Sequence, residues 1–231
     1  MKLTLLNSEQ PDQPFPSTEL ALTEPDGLLA VGGCLSPTRI LNAYRQGIFP
    51  WFNPCEPILW WSPNPRFVLF PAQLRISRRL AKTLRSERFS FKMDSAFSQV
   101  IEACSQPRAD SNLTWISDGI KQAYTQLHQQ GIAHSAEAWF EGELVGGLYG
   151  IAMGQLFFGE SMFHRKTDAS KVAFAHLVTH LQSWGYQLID CQVYTEHLES
   201  LGAVEIPRTD FVKYLDRYCE SKVDIKAWQL Q

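Results

Sequence analysis

Three polar residues stand inside otherwise apolar segments in the second half of the chain. Glu160 ends the run QLFFGE, and Asp190 and Gln192 lie two residues apart in YQLIDCQV. Side chains alternate along a strand, so this spacing predicts that Asp190 and Gln192 point to one face of a sheet. A carboxyl group among apolar neighbours is costly to bury without a partner, and residues of these types can hold or accept a proton during a reaction. The alternative interpretation is a structural carboxylate satisfied by the backbone or by an arginine.

A basic segment before residue 90 is the second candidate for function. ISRRLAKTLRSER (76–88) predicts a helix with Ser77 as its N-cap and with Leu80 and Leu84 on its buried side. The cations that form a continuous stripe on this helix and just before it are Arg75, Arg78, Arg79, Lys82 and Arg85. Such a stripe predicts contacts with the phosphates of a nucleic acid, and a solvated helix face is the alternative.

Histidine and cysteine spacing gives no sign of a metal centre. His176 and His180 lie four residues apart, which is compatible with a shared metal ion, but neither an HExxH motif nor a further carboxylate ligand accompanies them. The five cysteines are odd in number and widely spaced, with no CxxC pair. We therefore expect packed or surface histidines, reduced thiols, and neither a metal nor a cofactor.

Composition places the chain among globular proteins. With 231 residues, 45% hydrophobic and 19% charged, it can form one or two packed domains, and a disordered chain is excluded. No apolar run approaches the roughly 20 residues that cross a bilayer, and the first 15 residues lack the features of a signal peptide. We expect a cytoplasmic monomer with no membrane partner. The net charge of −3 leaves room for a local basic surface.

Prolines divide the chain into two parts. All of them except Pro107 and Pro207 lie at or before Pro71, where they prevent long regular elements. Residues 1–62 are therefore predicted to form a small, loop-rich N-terminal domain with one helix, SPTRILNAYRQG, capped by Ser36 and stopped by Gly47. Residues 63–231 are predicted to form a catalytic domain of alternating helices and strands.

The second part predicts a mixed α/β (α+β) fold. Residues 134–163 indicate three antiparallel strands joined at Glu141-Gly142 and at Met153-Gly154. A long helix (168–185) leads from them to a buried strand (186–193), which is expected to lie parallel to one of the three. The remaining predicted elements are a strand at 66–70, the basic helix, a strand at 89–93, helices at 94–104 and 117–131, and helical pieces at 197–203 and 209–219. Asp94, Ser117 and Asp168 are the predicted caps of their helices.

This arrangement of a meander, a crossover helix, a returning strand and the ending HLESLGA resembles the acyltransferase fold of the GCN5-related N-acetyltransferases. That fold normally holds acyl-CoA on a glycine-containing turn at the start of the crossover helix. The corresponding segment here, HRKTDAS, contains no glycine. An acyl donor other than CoA is therefore expected.

Several uncommon strings resemble one family, the leucyl/phenylalanyl-tRNA–protein transferases. They occur in the family's order between about Pro25 and Tyr214: PDGLLAVGG, GIFPWF, ILWWSPNPR, LVGGLYG, GESMF, ASK and LIDCQ. The resemblance implies an aminoacyltransferase that moves Leu or Phe from its tRNA to the α-amine of proteins beginning with Arg or Lys, which marks them for degradation under the N-end rule. It places the family's catalytic pair on Asp190 and Gln192 and its substrate-binding glutamate on Glu160.

The implied reaction suits these residues. An aminoacyl ester is already activated, so the enzyme must position a neutral amine and accommodate its proton, without a covalent nucleophile. The Gln192 carbonyl, oriented and polarised by Asp190, is expected to accept a hydrogen bond from that amine. The side chain of Leu or Phe needs a flexible apolar pocket, for which we select Leu148, Phe157, Met162, Leu177 and Ile189. Ordinary core packing is the alternative for each of them.

Tryptophans complete the predicted site. Trp60, Trp61 and Trp115 could stack on the terminal adenosine of the tRNA, and anchoring of a core is the alternative. Two other function classes remain open at this stage. A non-catalytic RNA-binding module would use only the basic helix, and a CoA-dependent N-acetyltransferase would need a different donor.

Overall fold

Two β-sheets divide the chain near residue 63. The structure, a computed structural model, describes residues 3–107 and 114–229. A four-stranded sheet uses only residues before 62, and a seven-stranded sheet uses only residues from 66 onward. The strands of the smaller sheet, in spatial order, are β1 (Thr4–Leu6), β2 (Leu28–Gly32), β4 (Leu59–Trp61) and β3 (Phe49–Pro50).

The larger sheet carries the predicted meander. Strands β7, β8 and β9 pair antiparallel, with turns at 141–142 and 154–155, and β10 pairs parallel with β9, so both predictions are confirmed. A short final strand, β11, was not expected. In spatial order the strands are β11 (Val204–Ile206), β5 (Arg66–Leu69), β10 (Leu188–Gln192), β9 (Leu156–His164), β8 (Glu143–Met153), β7 (Ala133–Phe140) and β6 (Ser90–Met93).

In the described part of the chain, seven α-helices connect or cover these strands. Three of them begin as predicted, because the hydroxyls of Ser36, Ser77 and Ser117 accept the backbone N–H three residues on. The helices are α1 (Pro37–Tyr44), α2 (Arg78–Arg85), α3 (Phe97–Cys104), α4 (Asp118–Gln129), α5 (Ala169–Ser183), α6 (Glu196–Ser200) and α7 (Arg208–Tyr218). No helix in the described ranges is long and apolar enough to cross a membrane.

Of the two predicted aspartate caps, Asp168 stands at the N-cap position of α5, whereas Asp94 lies two residues before Ala96, the N-cap of α3. Asp94 and Asp168 both have positive φ, 52° and 66°, and neither side chain caps its helix. The Asp94 carboxylate instead accepts the backbone N–H of Ser135 and contacts His134 Nδ1 at 2.7 Å. The first orphan N–H of α3, that of Ala96, is taken by the buried carboxylate of Glu137 at 2.8 Å.

Two apolar clusters lie on opposite faces of the large sheet. The first includes residues of α1, α3, α4 and the small sheet, and the second includes residues of α2 and α5. The start of α5 packs directly on β8, because a Cβ added to Gly146 would lie 2.6 Å from the Ala169 Cβ. The first cluster contains residues from both sides of the predicted boundary near Pro63, among them Tyr44 and Phe158. The division into two domains stays a prediction.

Candidate active site

Strand β10 ends in an irregular turn of the backbone that carries two of the candidate residues. Its pairing with β5 shifts register between Asp190 and Gln192, and Gln192 has φ of 60°, in the left-handed region. A non-glycine residue pays about 1–2 kcal/mol there. The Asp190 Oδ1 accepts the Gln192 backbone N–H at 3.0 Å, which holds the irregular conformation. Both side chains contact groups on the side of the first cluster.

Asp190 forms a completely buried ion pair with Arg66, which begins strand β5. Arg66 Nε donates to Oδ1 at 2.8 Å and Nη2 donates to Oδ2 at 2.6 Å, and neither side chain has any exposed surface. The third nitrogen of Arg66 donates to the Gly47 carbonyl at 3.0 Å. The guanidinium also lies near the rings of Phe49 and Phe211, at 4.9 and 4.6 Å. The side chain of Asp190 is therefore held by an arginine, which is the alternative interpretation given from the sequence.

Glu160 lies on β9 at the centre of a hydrogen-bonded group. Its Oε1 accepts the Tyr44 hydroxyl at 2.6 Å and the Gln192 Nε2 at 3.2 Å, and its Oε2 accepts the Tyr124 hydroxyl at 3.0 Å. The two tyrosine hydroxyls are 2.8 Å apart. These tyrosines come from α1 and α4, so three separate parts of the chain surround one carboxylate. Sequence reasoning missed both tyrosines.

Burial dominates the protonation of this group. It raises the pKa of Glu160 from its ordinary 4.5 to about 7, and the nearby Asp190 charge acts in the same direction. Hydrogen bonds from Tyr44, Tyr124 and Gln192 oppose the rise, because they favour the ionised carboxylate. Burial and the Glu160 charge raise the pKa of both tyrosines well above their ordinary value, so both hydroxyls remain donors at neutral pH.

The five residues selected as an apolar pocket pack with the second cluster, on the α5 side of the sheet. Four of them are buried in it, and the fifth, Met162, is half-buried and packs against it. The four are Leu148, Phe157, Leu177 and Ile189. Glu160 packs with the other cluster through its tyrosines, and Met162 follows it on β9 by two residues. Met162 is thus the one of the five that combines partial exposure with nearness in sequence to the carboxylate.

The three tryptophans selected for stacking differ in access. Trp60 is completely buried and its indole N–H donates to the Gly32 carbonyl, so the structure offers no ring face of Trp60 to a nucleoside. Trp61 and Trp115 are half-buried. Trp51 was not selected, yet it is 45% exposed and its ring centroid lies 6.0 Å from that of Trp61. Its position in GIFPWF, between a proline and an apolar residue, carried no signal of exposure.

The basic helix presents its cations to solvent. Leu80 is buried, as predicted, and all five selected cations are exposed. Arg79 Nε lies 3.5 Å from Asp168 Oδ2, and Thr83 donates to the same carboxylate. This contact fixes α2 against the segment that precedes α5.

The histidine pair makes two unrelated contacts. His176 stacks on Phe91, whereas His180 Nε2 lies 2.7 Å from the Ala227 carbonyl. Within the described residues, no group of three His, Cys, Asp or Glu side chains is arranged to hold a metal ion. All five cysteines are described, and none forms a disulfide.

Comparison with known proteins decides the family. The family model described as leucyl/phenylalanyl-tRNA protein transferase matches residues 68–216, more than half of the chain, and the model of its N-terminal domain matches residues 33–64. The chain belongs to the leucyl/phenylalanyl-tRNA–protein transferase family. It is accordingly an aminoacyltransferase, and the resemblance stated from its motifs is confirmed.

Curated transferases of this name cover nearly the whole chain. The one from Nitrosomonas europaea is 61% identical over 89% of this chain and 87% of its own length. The one from Methylococcus capsulatus is 56% identical over 98% of this chain and 97% of its own length.

Two solved structures show a partial likeness to this chain. L-PGS from Bacillus licheniformis has a TM-score of 0.40 and 14% identity, over 66% of this chain and 51% of its own. A GCN5-related N-acetyltransferase-like protein from Streptococcus suis has a TM-score of 0.34 and 14% identity, over 62% and 59%. At these scores the likeness carries no argument about the site, and the mixed α/β fold rests on the strands and helices described above.

Proposed function

We propose that this aminoacyltransferase moves leucine or phenylalanine from its tRNA to the α-amino group of proteins that begin with Arg or Lys, and that the products are then degraded under the N-end rule. The family name supports a tRNA donor and a protein acceptor. The observation that carries the proposal is the group of Glu160, Gln192, Tyr44 and Tyr124 beside the buried Asp190. The Glu160 carboxylate, when ionised, would also attract a basic N-terminus.

The reaction has one bond to form and one to break. The neutral α-amine of the acceptor attacks the ester carbonyl, the C–N bond forms, and the C–O bond to the terminal ribose breaks. The amine loses a proton and the ribose oxygen gains one. A peptide α-amine with a pKa of ~8 is already partly neutral at pH 7, so positioning and one hydrogen-bond acceptor suffice.

Gln192 is proposed to accept a hydrogen bond from the attacking amine through its amide oxygen, while the proton passes to the departing ribose oxygen. Its Nε2 donates to Glu160 at 3.2 Å, which turns its amide oxygen away from the carboxylate. Asp190 would act through the backbone, since its Oδ1 holds the Gln192 N–H and its charge is already matched by Arg66. Glu160 is proposed to hold a substrate amino group by a charge-assisted hydrogen bond.

The donor is proposed to bind along three features. Its amino-acid side chain would enter beside the half-buried Met162, because the other selected residues, Leu148, Phe157, Leu177 and Ile189, are buried core on the α5 side of the sheet. Its terminal adenosine would stack on the accessible tryptophans, for which the exposed face of Trp51 next to Trp61 is support. Its phosphates would lie along Arg75, Arg78, Arg79, Lys82 and Arg85, all of which are exposed.

Transfer of labelled leucine from tRNA to a peptide beginning with Arg tests the proposal. We expect transfer with Leu-tRNA and none with acetyl-CoA, and the same peptide with its α-amine blocked should remain unlabelled. Gln192→Ala should lower the rate by about 10²–10⁴. An RNA-binding module would transfer nothing from any donor, and full activity of the Gln192→Ala variant would remove that residue from the mechanism.

A further inference from the structure

Four cations surround the turn between β7 and β8, and each lies over an aromatic ring. We call these four residues the hairpin patch: Arg88, Lys92, Arg165 and Lys166. Three of them are exposed and Lys166 is half-buried. Lys166 Nζ lies 4.3 Å from the centroid of Phe140, Lys92 Nζ lies 4.7 Å from that of Trp139, the Arg88 guanidinium lies 4.6 Å from that of Phe89, and the Arg165 guanidinium lies 5.6 Å from that of Phe163.

The four cations of the hairpin patch form no ion pair with an acidic side chain of the described residues. Among residues 3–107 and 114–229, no ion pair involves any of the four, whereas Arg79 and Lys121 each contact carboxylates. An aromatic ring holds a cation in place without neutralising it. The hairpin patch therefore keeps its positive charge available to an anion in solution.

A cavity of about 570 Å³ opens within the patch. Arg165, Lys166, Trp139 and Glu143 are among its lining residues, and Glu143 is the one carboxylate against two cations there. Arg165 is fixed in this position because its Nη1 donates to the Leu144 carbonyl at 3.2 Å. The cavity thus combines held positive charge with an aromatic wall.

The patch lies at the same end of the sheet as the candidate active site. Glu160 and the segment leading to Arg165 belong to one continuous strand and its extension, so about 17 Å of extended chain separates the two residues. On the other side, Asp168 joins the same segment to Arg79 of α2. The cations of α2 and those of the hairpin patch therefore flank one edge of the molecule.

We propose that the hairpin patch is a second binding surface for the phosphate backbone of the donor RNA, continuous with the cations of α2. This inference rests on the proposed function. An RNA whose acylated end lies near Glu160 and whose phosphates lie along α2 would pass close to this edge, and each phosphate neutralised there releases counterions. Aromatic rings between the cations suit a nucleic acid, because they offer surfaces on which exposed bases or riboses can lie.

The test compares two double variants with the same change of charge. Arg165→Glu with Lys166→Glu alters the patch. Lys222→Glu with Lys226→Glu is the control. These two exposed residues precede Trp228, which stacks on His134 at the opposite end of β7 from the patch. The affinity for Leu-tRNA is measured at several salt concentrations, and transfer is measured with Leu-tRNA and with a leucyl-adenosine donor.

We expect the patch variant to bind Leu-tRNA at least tenfold more weakly than the control and to lower the salt slope by about 1 to 2, which corresponds to two phosphates. Its loss of transfer should be at least tenfold greater with Leu-tRNA than with leucyl-adenosine. A salt slope equal to that of the control would overturn the proposal. That result is the one expected if the partner of this surface were an acidic protein. Equal loss of transfer with both donors would also overturn it. The variant Arg165→Gln with Lys166→Gln would then show whether misfolding or the reversed charge causes that loss.

Failure of the proposed function would look different. The unaltered protein would then bind tRNA with a steeper salt slope than the patch variant does, but would transfer no leucine to the peptide.

Discussion

Arg66 and Asp190 satisfy each other's charge in a place that water does not reach. Replacing Asp190 by Asn leaves the Arg66 guanidinium buried without a counter-charge, which costs about 3–5 kcal/mol. We therefore predict that Asp190→Asn lowers the free energy of unfolding by that amount in urea titrations, in addition to lowering the rate of transfer.

A second variant separates the two effects. Arg66→Gln combined with Asp190→Asn removes both charges and should recover part of the lost stability. If the double variant also recovers transfer, Asp190 supports the fold and takes no part in the reaction. If stability returns and transfer does not, the effect of Asp190 on Gln192 is required.

Glu160 gives the site a pH dependence whose sign can be worked out. Its pKa is about 7, so the ionised form that would hold a substrate amino group is lost as the pH falls through 7. The Tyr44 hydroxyl stabilises that ionised form. In Tyr44→Phe the pKa of Glu160 should therefore rise, and the acidic limb of the rate profile should move upward by on the order of one pH unit.

Tyr149 offers a matched control for this experiment. It is a buried tyrosine whose hydroxyl has no hydrogen-bond partner in the described chain. Tyr149→Phe should leave the acidic limb where it is. An equal shift in both variants would mean that general packing, rather than the Tyr44 hydrogen bond, sets the profile.

The polar residues of the strands could be selected from the sequence, but their partners could not. Glu160, Asp190 and Gln192 were conspicuous because each interrupts an apolar run. Tyr44 and Tyr124 occur in ordinary amphipathic helices, where a tyrosine on the buried face is expected whether or not its hydroxyl meets a carboxylate. Only the tertiary packing of α1 and α4 brings them together.

At the scale of elements, helix α2 carries a prediction about RNA binding. Arg78 and Lys82 are exposed and make no ion pair in the part of the chain described, so charge reversal at both should not disturb the contact of α2 with Asp168. Arg78→Glu with Lys82→Glu should weaken binding of Leu-tRNA and reduce the salt slope by about 1 to 2. Filter binding at several salt concentrations measures both quantities.

The control for this helix is the donor. With leucyl-adenosine, which lacks the tRNA phosphates, the variant should lose far less activity than with Leu-tRNA. Loss of the same size with both donors would indicate that α2 supports the fold of the site.

Helix starts illustrate which local features a sequence specifies. A serine followed by a helical pattern predicted three caps correctly, because the hydroxyl reaches an N–H only three residues away. Asp94 and Asp168 have the same local context, yet His134, Ser135, Arg79 and Thr83 compete for their carboxylates. The partner that replaces Asp94 is Glu137, more than 40 residues from the N–H it accepts. Competition over such distances is absent from the local pattern.

At the scale of the whole molecule, the two sheets share one apolar cluster. Trp60 and Tyr44 from the first 62 residues pack in the same cluster as Phe97 and Phe158. We therefore predict a single cooperative unfolding transition, with coincident midpoints by tryptophan fluorescence and by far-ultraviolet circular dichroism. A fragment that begins at residue 63 should lack native cooperativity. Two separate transitions, or a stably folded fragment, would instead favour independent domains.

Proline distribution indicated where the chain changes character, but not what the first part contains. The loop-rich unit holds a four-stranded sheet whose strands are two to five residues long. Strands this short give no clear alternation of apolar and polar residues, so their pairing depends on neighbours distant in sequence. The longer strands of the meander, of 8 to 11 residues, could be predicted with their turns.

Because Glu160 bonds to Tyr44, Tyr124 and Gln192, the group can assemble only late in the synthesis of the chain. A ribosome makes the chain from residue 1 onward, and the partners of Glu160 come from residues 44, 124 and 192. The Arg66 guanidinium gains its last aromatic neighbour only when Phe211 has been made. A polypeptide released before residue 192 lacks one of the partners of Glu160, so such prematurely terminated products cannot assemble the group that the transfer is proposed to use.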